Sequence, residues 1–185
     1  MANFWYETSF VLDVLTRIVQ PYSDTGPSLA FTERGKGVTD SKMRKWPFRD
    51  RDFTTAMDRA RPRTDKHIPT TTNMPGALSS IFEDYINSAN IGVKNGKLRK
   101  FTLIIFTDGT WSRDGHQLLE VRKMIKMFME NCNKIWPQNV TERRANNQRP
   151  VSIQFIQFGD DEEARLNLRY LDNSLPFEED FRDIG

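Results

Sequence analysis

The spacing of apolar side chains along this chain predicts an alternation of helices and strands. Apolar residues recur at helical intervals from Asn3 to Val19 and again after Thr70, which predicts two helices that each bury one face. The stretch 33–69 has no such period and is rich in glycine, proline and charge, so we predict a long basic loop with one short helix near Thr54–Arg61. The apolar positions of the two longer helices are Val11, Val14, Leu15 and Ile18, then Ala77, Leu78, Ile81, Phe82, Tyr85 and Ile86.

Two other stretches have the composition of buried strands. Phe101–Thr107 is almost continuously apolar, which is typical of a central parallel strand that is buried on both faces. Val151–Phe158 predicts a second strand, and Ser28–Thr32 a short one. Each of the two longer strands is followed by a helical pattern, the first with Asp114 as its predicted N-cap. The apolar positions of these helices are Leu118, Val121, Ile125, Phe128 and Cys132, then Ala164, Leu168 and Leu171.

The alternation of strands and helices predicts an α/β fold, with a mostly parallel sheet and helices on both faces. Ligands of such folds bind beyond the carboxyl ends of the strands. Asp108 and Asp160 lie at the carboxyl ends of the two longer strands, so both are candidates for that position. Asp160 and Asp161 are also expected to begin a helix, because carboxylates stabilise the positive end of its dipole.

Charge and cysteine content narrow the choice of function. The 185 residues carry a net charge of +2, so the chain as a whole gives no reason to expect a nucleic-acid or membrane partner. Charge is nevertheless uneven, with nine basic and four acidic residues in 42–66 but three basic and nine acidic residues in 160–185. Such runs are usually solvated faces, and a partner surface is the alternative. Cys132 is the single cysteine, which excludes a disulfide framework.

Localisation and catalytic chemistry have few signals. No apolar run approaches the roughly 18 residues that span a bilayer, and the first residues lack the basic start of a signal peptide. We therefore expect a cytoplasmic protein. His67 and His116 have no metal-ligand spacing and are interpreted as surface residues. Cys132 closes an apolar helix stripe and is interpreted as a core residue rather than a nucleophile.

Three motifs together resemble those of a known family. Thr72–Leu78 (TNMPGAL) resembles the helix entry of von Willebrand factor A (vWA) domains, and Phe101–Trp111 (FTLIIFTDGTW) their central strand with its terminal T-D-G. Val151–Asn173 resembles the next strand and helix, in the form common among intracellular fungal members. The resemblance implies a three-layer, Rossmann-like vWA fold over residues 1–175, followed by an acidic tail at 176–185.

The resemblance also implies a metal-ion-dependent adhesion site. Such a site holds Mg²⁺, a hard cation that prefers oxygen ligands, and leaves one position for an acidic residue of a protein partner. Thr72 matches the threonine ligand of this site, and Asp108 matches its aspartate ligand. No membrane partner is expected.

The first ligand motif of the family, Asp-x-Ser-x-Ser, is missing from the chain. In the family a methionine and the first helix commonly follow it, so we expect Met1 to correspond to that methionine. The first central strand would then be absent, through a truncated gene model or a shortened isoform. Two of the five implied side chains remain, Thr72 and Asp108, so we expect any Mg²⁺ to bind weakly.

The favoured function is a non-enzymatic protein-interaction domain with an impaired adhesion site. One alternative is a small α/β phosphoryl-transfer or hydrolytic enzyme that uses Asp108. The chain has neither a Gly-rich phosphate loop nor a Gly-x-Ser-x-Gly motif to support it. A second alternative is nucleic-acid binding through the basic stretch 42–66, with Trp46, Phe48 and Phe53 available for stacking.

The expected loss of a central strand predicts marginal stability, because its neighbours would have unpaired backbone groups and exposed apolar faces. Thermal unfolding of the purified chain, followed by circular dichroism, should be broad or end in aggregation. A sharp, cooperative transition above about 50 °C, in the usual mesophilic range, would contradict this expectation.

Overall fold

The computed structural model divides the chain into two compact units, Met1–Asn73 and Met74–Gly185. Each unit has its own packing. Across the two units, the structure describes residues 4–19, 21, 27–32, 51–61, 73–110, 115–136 and 151–174.

The described elements follow the predicted order of helices and strands. Among the described residues, the first unit contains two helices, and the second contains three helices and two strands. The weak strand predicted at Ser28–Thr32 was wrong, because the structure has only an isolated β-bridge at Leu29 in this stretch. The bounds are α1 Trp5–Val19, α2 Arg51–Ala60, α3 Met74–Lys94, β1 Phe101–Thr107, α4 His116–Ile135, β2 Val151–Gln157 and α5 Glu162–Ser174.

In the described part of the second unit the sheet consists of β1 and β2, paired in parallel. The register joins Phe101 to Val151 at one end and Thr107 to Gln157 at the other. The N–H of Phe158 donates to the Thr107 carbonyl at 2.8 Å and extends the ladder by one residue. Parallel strands need a long crossover connection, and α4 lies within it. A mixed α/β architecture with a parallel sheet is therefore confirmed.

The core of this unit lies where α3, α4 and the sheet meet. The Phe82 and Phe128 rings stack with centroids 4.0 Å apart, and Phe101 meets Phe128 edge-on at 5.6 Å. The whole predicted stripe of α4 is buried, which confirms its periodicity. Its members are Leu118, Val121, Ile125, Phe128 and Cys132.

One face of the sheet carries this core. The odd-numbered apolar side chains of both strands pack into the cluster, together with Leu168 and Leu171 of α5. On the other face Thr102 is exposed, and Ile104 and Phe106 are only half-buried. The prediction that β1 is buried on both faces is therefore confirmed for one face. Its position as a central strand stays a prediction, since β2 is its only strand neighbour among the described residues. Helices on both faces stay a prediction.

The N-cap of α4 differs from the prediction. Gly115 occupies the cap with φ of 71°, and its position has no side-chain cap hydrogen bond. Asp114, the predicted cap, lies outside the described residues. The left-handed backbone at this position favours glycine because a Cβ would be strained there.

The buried face of α1 matches the predicted one only in part, since Val11 and Leu15 are half-buried. Thr8 and Leu12 are buried, whereas Val14 and Ile18 are 38% and 57% exposed. The helix contacts α2, whose Met57 is also buried. Apolar residues occur on several sides of α1, so periodicity did not identify the side that packs. None of the helices that the structure describes is long and apolar enough to cross a membrane.

Packing of the second unit predicts a sharp contrast between two Leu→Ala substitutions. Leu78 in α3 is 2% exposed and Leu119 in α4 is 57% exposed. Leu78→Ala should lower the free energy of unfolding by about 2–5 kcal/mol, because it removes core contacts and leaves a cavity. Leu119→Ala should change it by about 0.5 kcal/mol or less. Urea unfolding followed by circular dichroism measures both, and equal effects would contradict the core assignment.

Candidate functional site at the carboxyl edge of the sheet

The parallel pairing brings the segments that follow β1 and β2 to the same edge of the sheet. Asp108, Gly109 and Thr110 follow β1, and Gly159 and Asp160 follow β2. We call this region the carboxyl edge. It is where ligands of open α/β sheets usually bind, and it includes Asp108 and Asp160, as predicted.

The Asp108 carboxylate holds the turn after β1. Its Oδ1 atom accepts hydrogen bonds from the Thr110 N–H at 3.3 Å and from the Thr110 hydroxyl at 3.1 Å. Asp108 itself is half-buried, whereas Thr110 is exposed. An aspartate that binds a backbone N–H two residues later is a common turn-forming arrangement. Asp108 therefore has a structural role whether or not it also meets a partner.

Gly109 packs this turn closely against the beginning of α5. Its φ of 74° is in the left-handed region, and its N–H donates to the Thr107 hydroxyl at 2.9 Å. A Cβ at this position would lie 2.4 Å from the Cβ of Ala164, which is far closer than a van der Waals contact. Only glycine satisfies both the backbone angle and the approach of the helix.

Asp161 caps α5 at the same edge. Its Oδ1 atom accepts a hydrogen bond from the Ala164 N–H at 2.8 Å, three residues on, as an N-cap does. The Gln157 side-chain amide donates to the Asp161 carbonyl at 3.2 Å and ties the cap to the end of β2. The prediction that these aspartates begin a helix is thus confirmed for Asp161. Asp160 is exposed.

The Mg²⁺ site predicted at the carboxyl edge stays a prediction. No group of three or more His, Cys, Asp or Glu side chains in the described part of the chain could hold a metal ion. Asp108 is the described member of the predicted ligand pair, because Thr72 lies outside the described residues. A single carboxylate that already holds its own turn competes poorly with water for Mg²⁺, which is strongly hydrated.

Other candidate residues have roles in packing or on the surface. Cys132 is buried, and burial raises the pKa of its thiol to about 11, so it remains protonated at neutral pH, as expected of a core cysteine. His116 is exposed at the start of α4, with its Nδ1 atom 3.6 Å from the Glu120 carboxylate. His67, Trp46 and Phe48 lie outside the described residues.

Sequence reasoning missed a polar network at the opposite edge of the sheet. The Trp136 indole N–H donates to the Tyr85 hydroxyl at 3.1 Å, and that hydroxyl donates to the Arg99 carbonyl at 2.9 Å. Burial raises the pKa of Tyr85 above its usual value of 10.0, partly offset by the bond from Trp136. The neighbouring stretch 94–100 contains four basic residues and no acid.

Comparison with known proteins gives no family assignment. No family model, curated protein or solved structure matches this chain. What the protein does must therefore be inferred from the geometry of the two edges and from the sequence motifs.

The close approach of Gly109 to α5 predicts a larger effect for Gly109→Ala than for Gly115→Ala. Both glycines have positive φ, but nothing lies within 4 Å of a Cβ built at Gly115. Gly115→Ala should cost about 1–2 kcal/mol through its backbone angle alone. Gly109→Ala should cost about 1–3 kcal/mol more, because the added methyl meets Ala164. Equal shifts in urea midpoint would show that the turn does not pack against α5.

Proposed function

We propose that this chain is a protein-interaction domain of vWA type, and that its partner binds at the carboxyl edge beside Asp108. The observation that carries the proposal is the position of Asp108 at the end of a parallel strand, with its carboxylate oriented by Thr110. The order of motifs around it supports the resemblance, including the three-layer fold that would surround this edge. The domain has no catalytic role in this proposal.

The metal requirement of this interaction follows from the donors at the edge. The resemblance implies that Mg²⁺ joins Asp108 to an acidic residue of the partner. The chain keeps two of the five implied side chains, Thr72 and Asp108, so the affinity of the free chain for Mg²⁺ is expected to be low, on the order of millimolar or weaker. Solution NMR detects binding in this range and identifies the edge that responds.

Asp108→Ala should abolish a weak response to Mg²⁺ at the carboxyl edge. In the native chain, added Mg²⁺ should shift the backbone amide signals of Gly109 and Thr110. A glycine-rich peptide with one glutamate should then shift them further, and only when Mg²⁺ is present. These changes should disappear in Asp108→Ala, because the carboxylate is the proposed contact with the ion.

Asp160→Ala is the matched control, because it removes an exposed carboxylate from the same edge without changing Asp108. Its Mg²⁺ and peptide responses should remain. Equal responses in Asp108→Ala and the native chain would refute the proposed contact. Hydrolysis of p-nitrophenyl phosphate that is lost in Asp108→Ala would instead support the enzymatic alternative.

A further inference from the structure

A group of basic residues surrounds the edge of the second unit where the strands begin. All five are exposed, and within the described part of the chain none forms a salt bridge. The stretch 85–101 supplies four of them and contains no aspartate or glutamate. We call this group the basic rim, and its members are Lys94, Lys97, Arg99, Lys100 and Lys134.

The backbone beneath the basic rim is held by hydrogen bonds. At the end of α3 the Lys97 N–H donates to the Gly92 carbonyl at 2.7 Å, and the Gly96 N–H donates to the Val93 carbonyl at 3.2 Å. These two bonds, with φ of 65° at Gly96, form a Schellman motif. The turn is therefore a defined structure that fixes the starting points of the rim side chains.

A second set of contacts joins the rim segment to the end of α4. The Tyr85 hydroxyl binds the Arg99 carbonyl, and the Trp136 indole binds the same hydroxyl. The backbone N–H of Trp136 donates to the Cys132 carbonyl at 2.9 Å and closes the last turn of α4. These hydrogen bonds thus connect the ends of α3 and α4 to the start of β1.

An open cavity of about 590 Å³ lies between the ends of α3 and α4. Lys94 and Lys134 line it from the two helices, together with Asn90, Val93 and Ile135. Val93 is 48% exposed, so the cavity offers apolar surface between two ammonium groups. This combination suits a ligand that carries both negative charge and an aliphatic side chain.

The electrostatic balance at this edge favours an anionic ligand. The ends of α3 and α4 each contribute about half a negative charge through the helix dipole. Glu130, one turn before Lys134 in α4, adds one full negative charge. These sum to roughly two negative charges, against five positive charges in the rim. The net charge around the basic rim is therefore positive.

We propose that the basic rim binds an acidic peptide segment of a partner protein, with an aliphatic side chain of that segment in the cavity. The rim lies at the opposite end of the strands from Asp108, so this surface is separate from the proposed carboxyl-edge site and does not depend on it. A peptide fits better than single-stranded nucleic acid, which needs exposed rings for stacking. Tyr85 and Trp136 are half-buried and bonded to each other.

The test is fluorescence anisotropy of a labelled Glu-Glu-Leu-Glu-Glu-Leu peptide, titrated with the full chain in EDTA. The native chain should bind the peptide, and added salt should weaken the binding because the attraction is between exposed charges. The double variant Lys97→Glu with Lys134→Glu should bind roughly tenfold more weakly or not at all. Lys97→Gln with Lys134→Gln gives a milder change and should weaken binding in the same direction.

The matched control reverses two exposed basic residues away from the rim, Lys123→Glu with Arg165→Glu, in the first halves of α4 and α5. Its net charge equals that of the charge-reversed rim variant, so the two variants differ only in where the charges lie. If the peptide binds at the rim, the affinity of this control for the peptide should stay within about twofold of native. Equal loss in both variants, or no binding by the native chain, would overturn the proposal. Tighter binding of oligo-dT that competes for the rim would also overturn it in favour of nucleic acid.

A second titration, in EDTA and with Asp108→Ala, distinguishes the basic rim from the carboxyl edge. Binding of the acidic peptide at the basic rim should persist in EDTA and in Asp108→Ala. Binding that requires Mg²⁺ and is lost in Asp108→Ala would belong to the carboxyl edge and would refute the rim as the peptide site. Circular dichroism of each variant checks whether the rim substitutions leave the fold intact.

Discussion

The parallel pairing of β1 with β2 is the constraint on which the second unit depends. Parallel strands cannot be joined by a tight turn, so the chain must cross over, and α4 lies in that crossover. The equal register places the odd-numbered side chains of both strands on one face, where they pack with α3, α4 and α5. Burial of that apolar face is the main source of stability for such a layer.

The same pairing gives the unit two chemically different ends. The segments that leave the strands carry Asp108, Asp160 and Asp161, whereas α3 and α4 end beside the start of β1. Acidic groups hold a turn or cap a helix at the first end. Exposed lysines and an arginine lie at the second, where Lys94 and Lys134 line a cavity. The charge separation of the unit thus follows from the direction in which its strands run.

Several local features were predictable because neighbouring residues in the chain produce them. The α4 stripe from Leu118 to Cys132 is buried as its spacing indicated, and Asp161 caps α5 as its position before the helix suggested. The position of Asp108 at the end of a strand was equally accessible, since strand type and strand end are both local properties. The hydrogen bond that orients its carboxylate also lies within two residues.

The sequence by itself determined the helices, the two strands and the aspartates that follow them, because periodicity and capping act over a few residues. The tertiary structure decided which face of α1 is buried, since apolar residues on several sides leave that choice to contacts with α2. It also decided that Ala164 packs so close to position 109 that only glycine fits there. Lys94 and Lys134 likewise line one cavity only because α3 and α4 pack together. These depend on contacts between residues 40 or more positions apart, which local patterns do not encode.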